Sequence, residues 1–138
     1  KLVTEVLRQL DAMVWPTFVQ SVEVVVVDDR SHDQTHRNIE AWIGGKSGYT
    51  LLQHPHNKGK GAAVRTGMQA ATGDTFLIQD ADLELQPSDI PALLQAMHDL
   101  GVEMVNGSRY LPGPIRPLSS YKRYIANKLF SWLTSLLI

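Results

Sequence analysis

Cysteine is absent from the 138-residue chain, which excludes disulfides and thiolate-bound metal centres and permits a reducing compartment. There is no signal-peptide pattern and no apolar run of membrane-spanning length, and the first residue is Lys1 rather than Met. The chain therefore reads as a piece of a longer protein, cut at both ends. Neither sign of charge dominates. With 13 basic and 14 acidic side chains the balance argues against bulk electrostatic binding to nucleic acid. Acids are missing altogether after Glu103, whereas Arg109, Arg116, Lys122, Arg123 and Lys128 follow it, so the last quarter is cationic and suits an anion or a membrane surface. Two phosphate-binding signatures are also lacking: no strand is followed by G-x-G-x-x-G, and Gly59-Lys60-Gly61 does not have the Walker spacing.

What is present is a 43% hydrophobic chain, enough for one domain with a core, whose periodicity switches regularly between helix and strand. Leu2, Val6, Leu10 and Val14 mark one helical face, and Pro16 stops that helix. Val22 to Val27 is a β-branched run suited to a strand buried on both faces. The pattern then predicts a helix over 34–43, a strand over 49–53, a small-residue helix over 59–71 and a strand over 75–79. A helix over 88–100, with Ser88 as its cap, and a strand over 102–106 complete the series. Four strands separated by helices imply an α/β, Rossmann-like, mainly parallel sheet in a single domain. Leu111 to Pro117 reads as a loop, and 119–138 as an amphipathic helix suited to an interface.

The polar clusters all fall after strands: Asp28-Asp29, His54 to Lys60, Asp80 to Glu84, and Gly107-Ser108-Arg109. Ligands of open parallel sheets bind at that rim. Adjacent carboxylates repel and cost desolvation energy unless compensated, and a hard divalent cation is the simplest compensation. Mg²⁺ or Mn²⁺ held by one or two carboxylates completes its shell with water and phosphate oxygens, which points to a nucleotide diphosphate.

Val27-Asp28-Asp29-Arg30-Ser31, Asn57-Lys58-Gly59-Lys60-Gly61, Gln79-Asp80-Ala81-Asp82-Leu83-Glu84 and Gly107-Ser108-Arg109-Tyr110 occur in the order and approximate spacing of glycosyltransferase family 2. They most resemble its polyprenyl-phosphate branch, the dolichol-phosphate and undecaprenyl-phosphate sugar transferases. The resemblance implies a GT-A fold, incomplete at both ends here. It also implies a GDP- or UDP-sugar donor, a Mn²⁺ or Mg²⁺ ion and a polyprenyl-phosphate acceptor at the cytoplasmic face of a membrane. Carried over position by position, Asp80, Asp82 and Glu84 serve the metal. Asp28, Asp29, Lys60, Asp80 and Ala81 line the nucleotide-sugar side, and Asp82, Arg109 and Arg123 form the catalytic set around donor and acceptor phosphate. Two departures stand out: Arg30 occupies a turn position where the family usually has Gly, and the family's first, central strand would precede Lys1.

Asp33 reads as a cap of the following helix. His54-Pro55-His56 lacks a third zinc ligand and reads as loop, and His32, His36 and His98 read as surface residues. Trp15, Trp42 and Trp132 read as core or interface anchors. Two other functions fit the same residues: a family member acting on a saccharide acceptor, and a non-catalytic nucleotide-binding remnant. Oligomeric state, donor sugar and stereochemical outcome are not encoded in any local pattern.

Overall fold

β-Branched and small-residue runs alternate along the chain, and a computed structural model describing residues 2–83 and 85–107 shows how they assemble. Chain contacts divide the protein into Lys1–Val105 and Asn106–Ile138, and the account below concerns the first unit. Its elements are α1 (Leu2–Asp11), β1 (Val24–Asp28), α2 (Thr35–Ile43), β2 (Tyr49–Gln53), α3 (Lys60–Ala70) and α4 (Ile90–Leu100), with a 3-10 turn at Pro87–Asp89 before α4.

β1 and β2 pair in parallel, from Val24 opposite Tyr49 to Asp28 opposite Gln53. The pairing extends one step further, where the His54 amide donates to the Asp28 carbonyl at 2.9 Å. A parallel pair requires a crossover, and α2 supplies it, packing on β2 and against α1. α3 packs on β1, with Gly67 set against the Val27 side chain. The buried apolar residues are Val6, Leu7, Ile39 and Ile90, so the core lies where α1 meets α2 and the start of α4.

The α/β reading holds, with several corrections. The first helix ends at Asp11, short of Pro16, and the first strand begins at Val24 rather than Val22. Ser88 does not cap the fourth helix: it lies inside the 3-10 turn, where Pro87 enforces a tight entry. Asp33 does accept the Thr35 amide at 2.9 Å, as a capping residue should.

The larger correction concerns 75–79 and 102–106, neither of which is a strand. Among the described residues the sheet has two strands. Thr75 to Gln79 and β1 both line a groove of about 1100 Å³, floored by side chains of α1, α3 and α4. A strand is made by its ladder, and among the described residues 75–79 pairs with no strand. Phe76, Leu77 and Ile78 consequently stay 43–57% exposed despite their strand-like composition. The segment 119–138 read as an interfacial helix, the stretch 111–117 read as a loop, and Trp132 lie outside the described residues.

Arg30 adopts φ +66°, the left-handed conformation a glycine would occupy without steric cost. The replacement of the expected glycine therefore leaves the turn geometry intact and places its cost on the arginine backbone.

Candidate active site

Successive residues of a strand point to opposite faces of its sheet, and this splits the first acidic pair. Asp28 lies on the α2 face with its side chain 1% exposed. Its Oδ1 accepts the Ser31 amide at 2.9 Å, and its Oδ2 accepts Gln53 Nε2 at 2.8 Å and lies 3.1 Å from His36 Nδ1. Burial pushes the Asp28 carboxyl up, but Ser31, Gln53 and the neighbouring His36 outweigh it and hold the group below the usual carboxylate range.

Asp29 lies on the α3 face. Its Oδ1 lies 2.6 Å from His54 Nδ1 and accepts the Lys58 amide at 2.8 Å, and its Oδ2 accepts the Gly59 amide at 2.7 Å. His54, followed by the Lys58 and Gly59 amides, holds the Asp29 carboxyl below its ordinary value. Gly59 has φ +85° at the entry to α3, where both the Ala62 and Ala63 amides return to its carbonyl. Asp29 thus fastens the turn that starts α3.

The first residue of that helix is Lys60, whose Nζ lies 2.6 Å from Asp80 Oδ2. Lys60 is exposed and Asp80 half-buried. This ion pair joins the rim after β2 to the D-x-D turn, which the sequence separates by 20 residues. Ala81 and Asp82 are exposed on the same turn. Two glutamines shape it: Gln79 Nε2 donates to the carbonyls of Asp80 and Leu85, both at 3.0 Å, and Gln86 Nε2 donates to the Leu83 carbonyl at 3.1 Å. Leu83 takes φ +61° within the turn.

The structure therefore brings Lys60, Asp80, Ala81 and Asp82 together, with Asp29 one turn behind them and Asp28 on the other sheet face. Glu84, Arg109 and Arg123 lie outside the described residues. Two carboxylates separated by one residue on an exposed turn form an oxygen donor set of the kind that Mg²⁺ or Mn²⁺ takes when diphosphate and water complete the shell. Among the described residues no cluster of three or more acids, histidines or cysteines could hold a metal by protein ligands alone.

Sequence reasoning missed Gln53, His36, His54, Thr66, Gln79 and Gln86. His54 lies in the loop after β2, as read, but it is buried at 4% exposed, and its Nε2 lies 2.9 Å from Thr66 Oγ1. His36 sits half-buried against Asp28. The available signal was register: a residue just past β2 must lie beside the residue just past β1. Trp42 does act as an anchor, edge-on to Tyr49 with Lys46 Nζ 3.6 Å above its ring.

Residues 1–130 match the family described as Glycosyl transferase family 2. The chain is 37% identical over 91 residues to a dolichol-phosphate mannosyltransferase of Pyrococcus furiosus, a match covering 66% of this chain and 25% of that protein. A dolichol-phosphate mannosyltransferase of Saccharomyces cerevisiae is 29% identical over 98 residues, covering 71% and 36%. An undecaprenyl-phosphate 4-deoxy-4-formamido-L-arabinose transferase of Aeromonas hydrophila is 39% identical over 80 residues, covering 56% and 24%. These matches span about a quarter to a third of the relatives' own lengths. A parallel β1–β2 pair with its crossover helix, a D-x-D turn facing a lysine at a helix start, and a match running from residue 1 to residue 130 agree: the chain belongs to glycosyl transferase family 2, in the branch that resembles the polyprenyl-phosphate transferases.

Proposed function

We propose that this chain supplies the donor-binding part of a glycosyltransferase that moves a hexose from a GDP- or UDP-sugar to a polyprenyl phosphate. The observation that carries the reading is the Lys60–Asp80 contact at 2.6 Å, which sets a cation and a helix N-terminus against the D-x-D turn. That combination suits a diphosphate: phosphate oxygens favour a helix N-terminus and an ammonium group, and the facing carboxylates favour a divalent cation. The printed names of the similar proteins support a lipid-phosphate acceptor.

In this reading Asp80 and Asp82 hold Mn²⁺ or Mg²⁺, with Glu84 completing the set, and Ala81 brings backbone close to the donor. The bound cation supplies charge stabilisation to the diphosphate as it leaves. Lys60 supports the same charge from the other side. Asp29 holds the turn that carries Lys60, and Asp28 and Asp29 border the nucleoside side. A phosphate monoester has a second pKa of about 6 and is mostly ionised at neutral pH, so the acceptor needs cationic positioning more than a general base. Arg109 and Arg123, in the acid-free segment, are suited to bidentate phosphate contacts. That segment would meet the acceptor at the cytoplasmic face of a membrane. Among the described residues no helix is long and apolar enough to cross one.

The test is calorimetric titration of GDP and UDP into the full-length polypeptide with Mn²⁺ or with EDTA, repeated for folded Asp80→Ala and Asp82→Ala. One nucleotide should bind only with metal, and both variants should abolish that binding. Transfer of labelled sugar to dolichyl or undecaprenyl phosphate, and not to a saccharide, then identifies the acceptor. Nucleotide binding indifferent to metal and to both substitutions would leave a nucleotide-binding remnant as the better description.

A further inference from the structure

Among the described residues the buried titratable groups are Asp28 and His54, and nothing in donor binding as described above uses His54. Its ring bridges two elements. Nδ1 lies 2.6 Å from Asp29 Oδ1, and Nε2 lies 2.9 Å from Thr66 Oγ1 on α3. A carboxylate only accepts, so Nδ1 carries the proton toward Asp29, while Nε2 and the Thr66 hydroxyl lie within hydrogen-bonding distance of each other.

The helix is gripped twice by this one side chain. Thr66 is a direct contact nearly two turns into α3. The second grip runs through Asp29, whose oxygens accept the Lys58 and Gly59 amides immediately before the helix begins. Position along the helix axis and rotation about it are both constrained by two such points, and the next residue in the chain is Lys60, which reaches Asp80.

We propose that His54 is a positioning residue: by holding Asp29 against the Lys58–Gly59 amides and α3 at Thr66, it sets Lys60 and the start of α3 at the distance from the D-x-D turn that a nucleoside diphosphate requires. The proposal rests on the donor-site reading given above, and a readout independent of nucleotide separates the two.

Three variants of the full-length polypeptide test it. In His54→Asn the side-chain amide lies near the former Nδ1 and keeps the bond to Asp29. In His54→Gln the amide reaches the Nε2 position and loses it. Thr66→Val removes only the hydroxyl. Amide hydrogen exchange at Lys58 and Gly59 reports the Asp29 grip, and calorimetry with GDP and UDP in the presence of Mn²⁺ reports donor affinity. Loss of a hydrogen bond to a charged group should speed exchange at Gly59 and raise Kd by about tenfold in His54→Gln, while His54→Asn stays within about threefold on both. Thr66→Val should raise Kd by about threefold, and it carries the affinity test if the His54 variants do not fold. Unchanged exchange in His54→Gln, or faster exchange with unchanged affinity there and in Thr66→Val, would overturn the proposal. If the wild-type polypeptide binds neither nucleotide, the donor-site reading fails on its own, and the exchange data still decide whether His54 holds the turn.

Discussion

Asp28 and Asp29 are neighbours in the chain and face opposite sides of the sheet, one meeting His36 of α2 and the other His54 and the entry to α3. Both carboxyls are held below their ordinary value in the folded chain. A group depressed in this way contributes stability that is present above the unfolded pKa, about 3.9 for Asp, and is lost as pH falls through the folded value. The urea midpoint should therefore fall as the pH drops below about 4. Asp28→Asn should lower the midpoint at neutral pH and flatten that acid limb, because its neutral amide has no proton to take up.

Arg30, at φ +66°, bears a left-handed backbone cost of roughly 1 kcal/mol, partly offset by the larger unfolded-state entropy of a glycine. Arg30→Gly should raise unfolding free energy by about 0.5 kcal/mol, and Arg30→Val, β-branched, should lower it by about 1 kcal/mol. Equilibrium urea unfolding of the two variants checks the sign of each.

Ile39 is 2% exposed and is the α2 contribution to a small core. Ile39→Ala should cost about 3 kcal/mol through lost transfer energy and the cavity left behind. With so few fully buried apolar side chains, that loss should be visible as a shift of the whole unfolding transition rather than of its slope.

Gln79 closes the D-x-D turn through two carbonyls. Gln79→Leu keeps the side-chain size and removes both donors, each worth about 1 kcal/mol, so metal-dependent nucleotide affinity should fall by about tenfold with a smaller change in urea midpoint. Comparable losses in both would mean that Gln79 supports the fold and not the turn.

Tyr49 donates to Asp11 at 3.1 Å, and Lys46 reaches the same carboxylate at 2.8 Å, tying the end of α1 to the start of β2. Burial, with the Asp11 bond adding to it, pushes the Tyr49 hydroxyl up to about 12. Ultraviolet titration should show Tyr49 ionising late, and Asp11→Asn should bring it down only part of the way, because burial is the larger cause.

Local pattern made much of the molecule legible. The bounds 49–53 for β2 and the helices read over 34–43 and 59–71, found at 35–43 and 60–70, follow from β-branching and periodicity, properties of neighbouring residues. The family was legible for a related reason: four short blocks each satisfy a local geometry, and their order survives in the sequence. Lys60 was legible at the rim because it follows β2 of a parallel pair, whereas Asp80 and Asp82 follow a segment that is not a strand and meet that rim through the Lys60–Asp80 contact.

Tertiary structure decided what local pattern cannot. Whether Thr75 to Gln79 is a strand depends on a ladder partner elsewhere in space, and among the described residues it has none. Whether the loop residue His54 is exposed or a buried bridge depends on register, which brings it beside Asp29 across 25 positions of sequence. Pairing energy between residues distant in sequence exists only once the chain has closed on itself. The sequence by itself determined which segments could be helix or strand and which family they spell, while the folded chain alone decided which partners each acid meets: Asp28 beside His36, Asp29 beside His54 and the entry to α3, Asp80 beside Lys60.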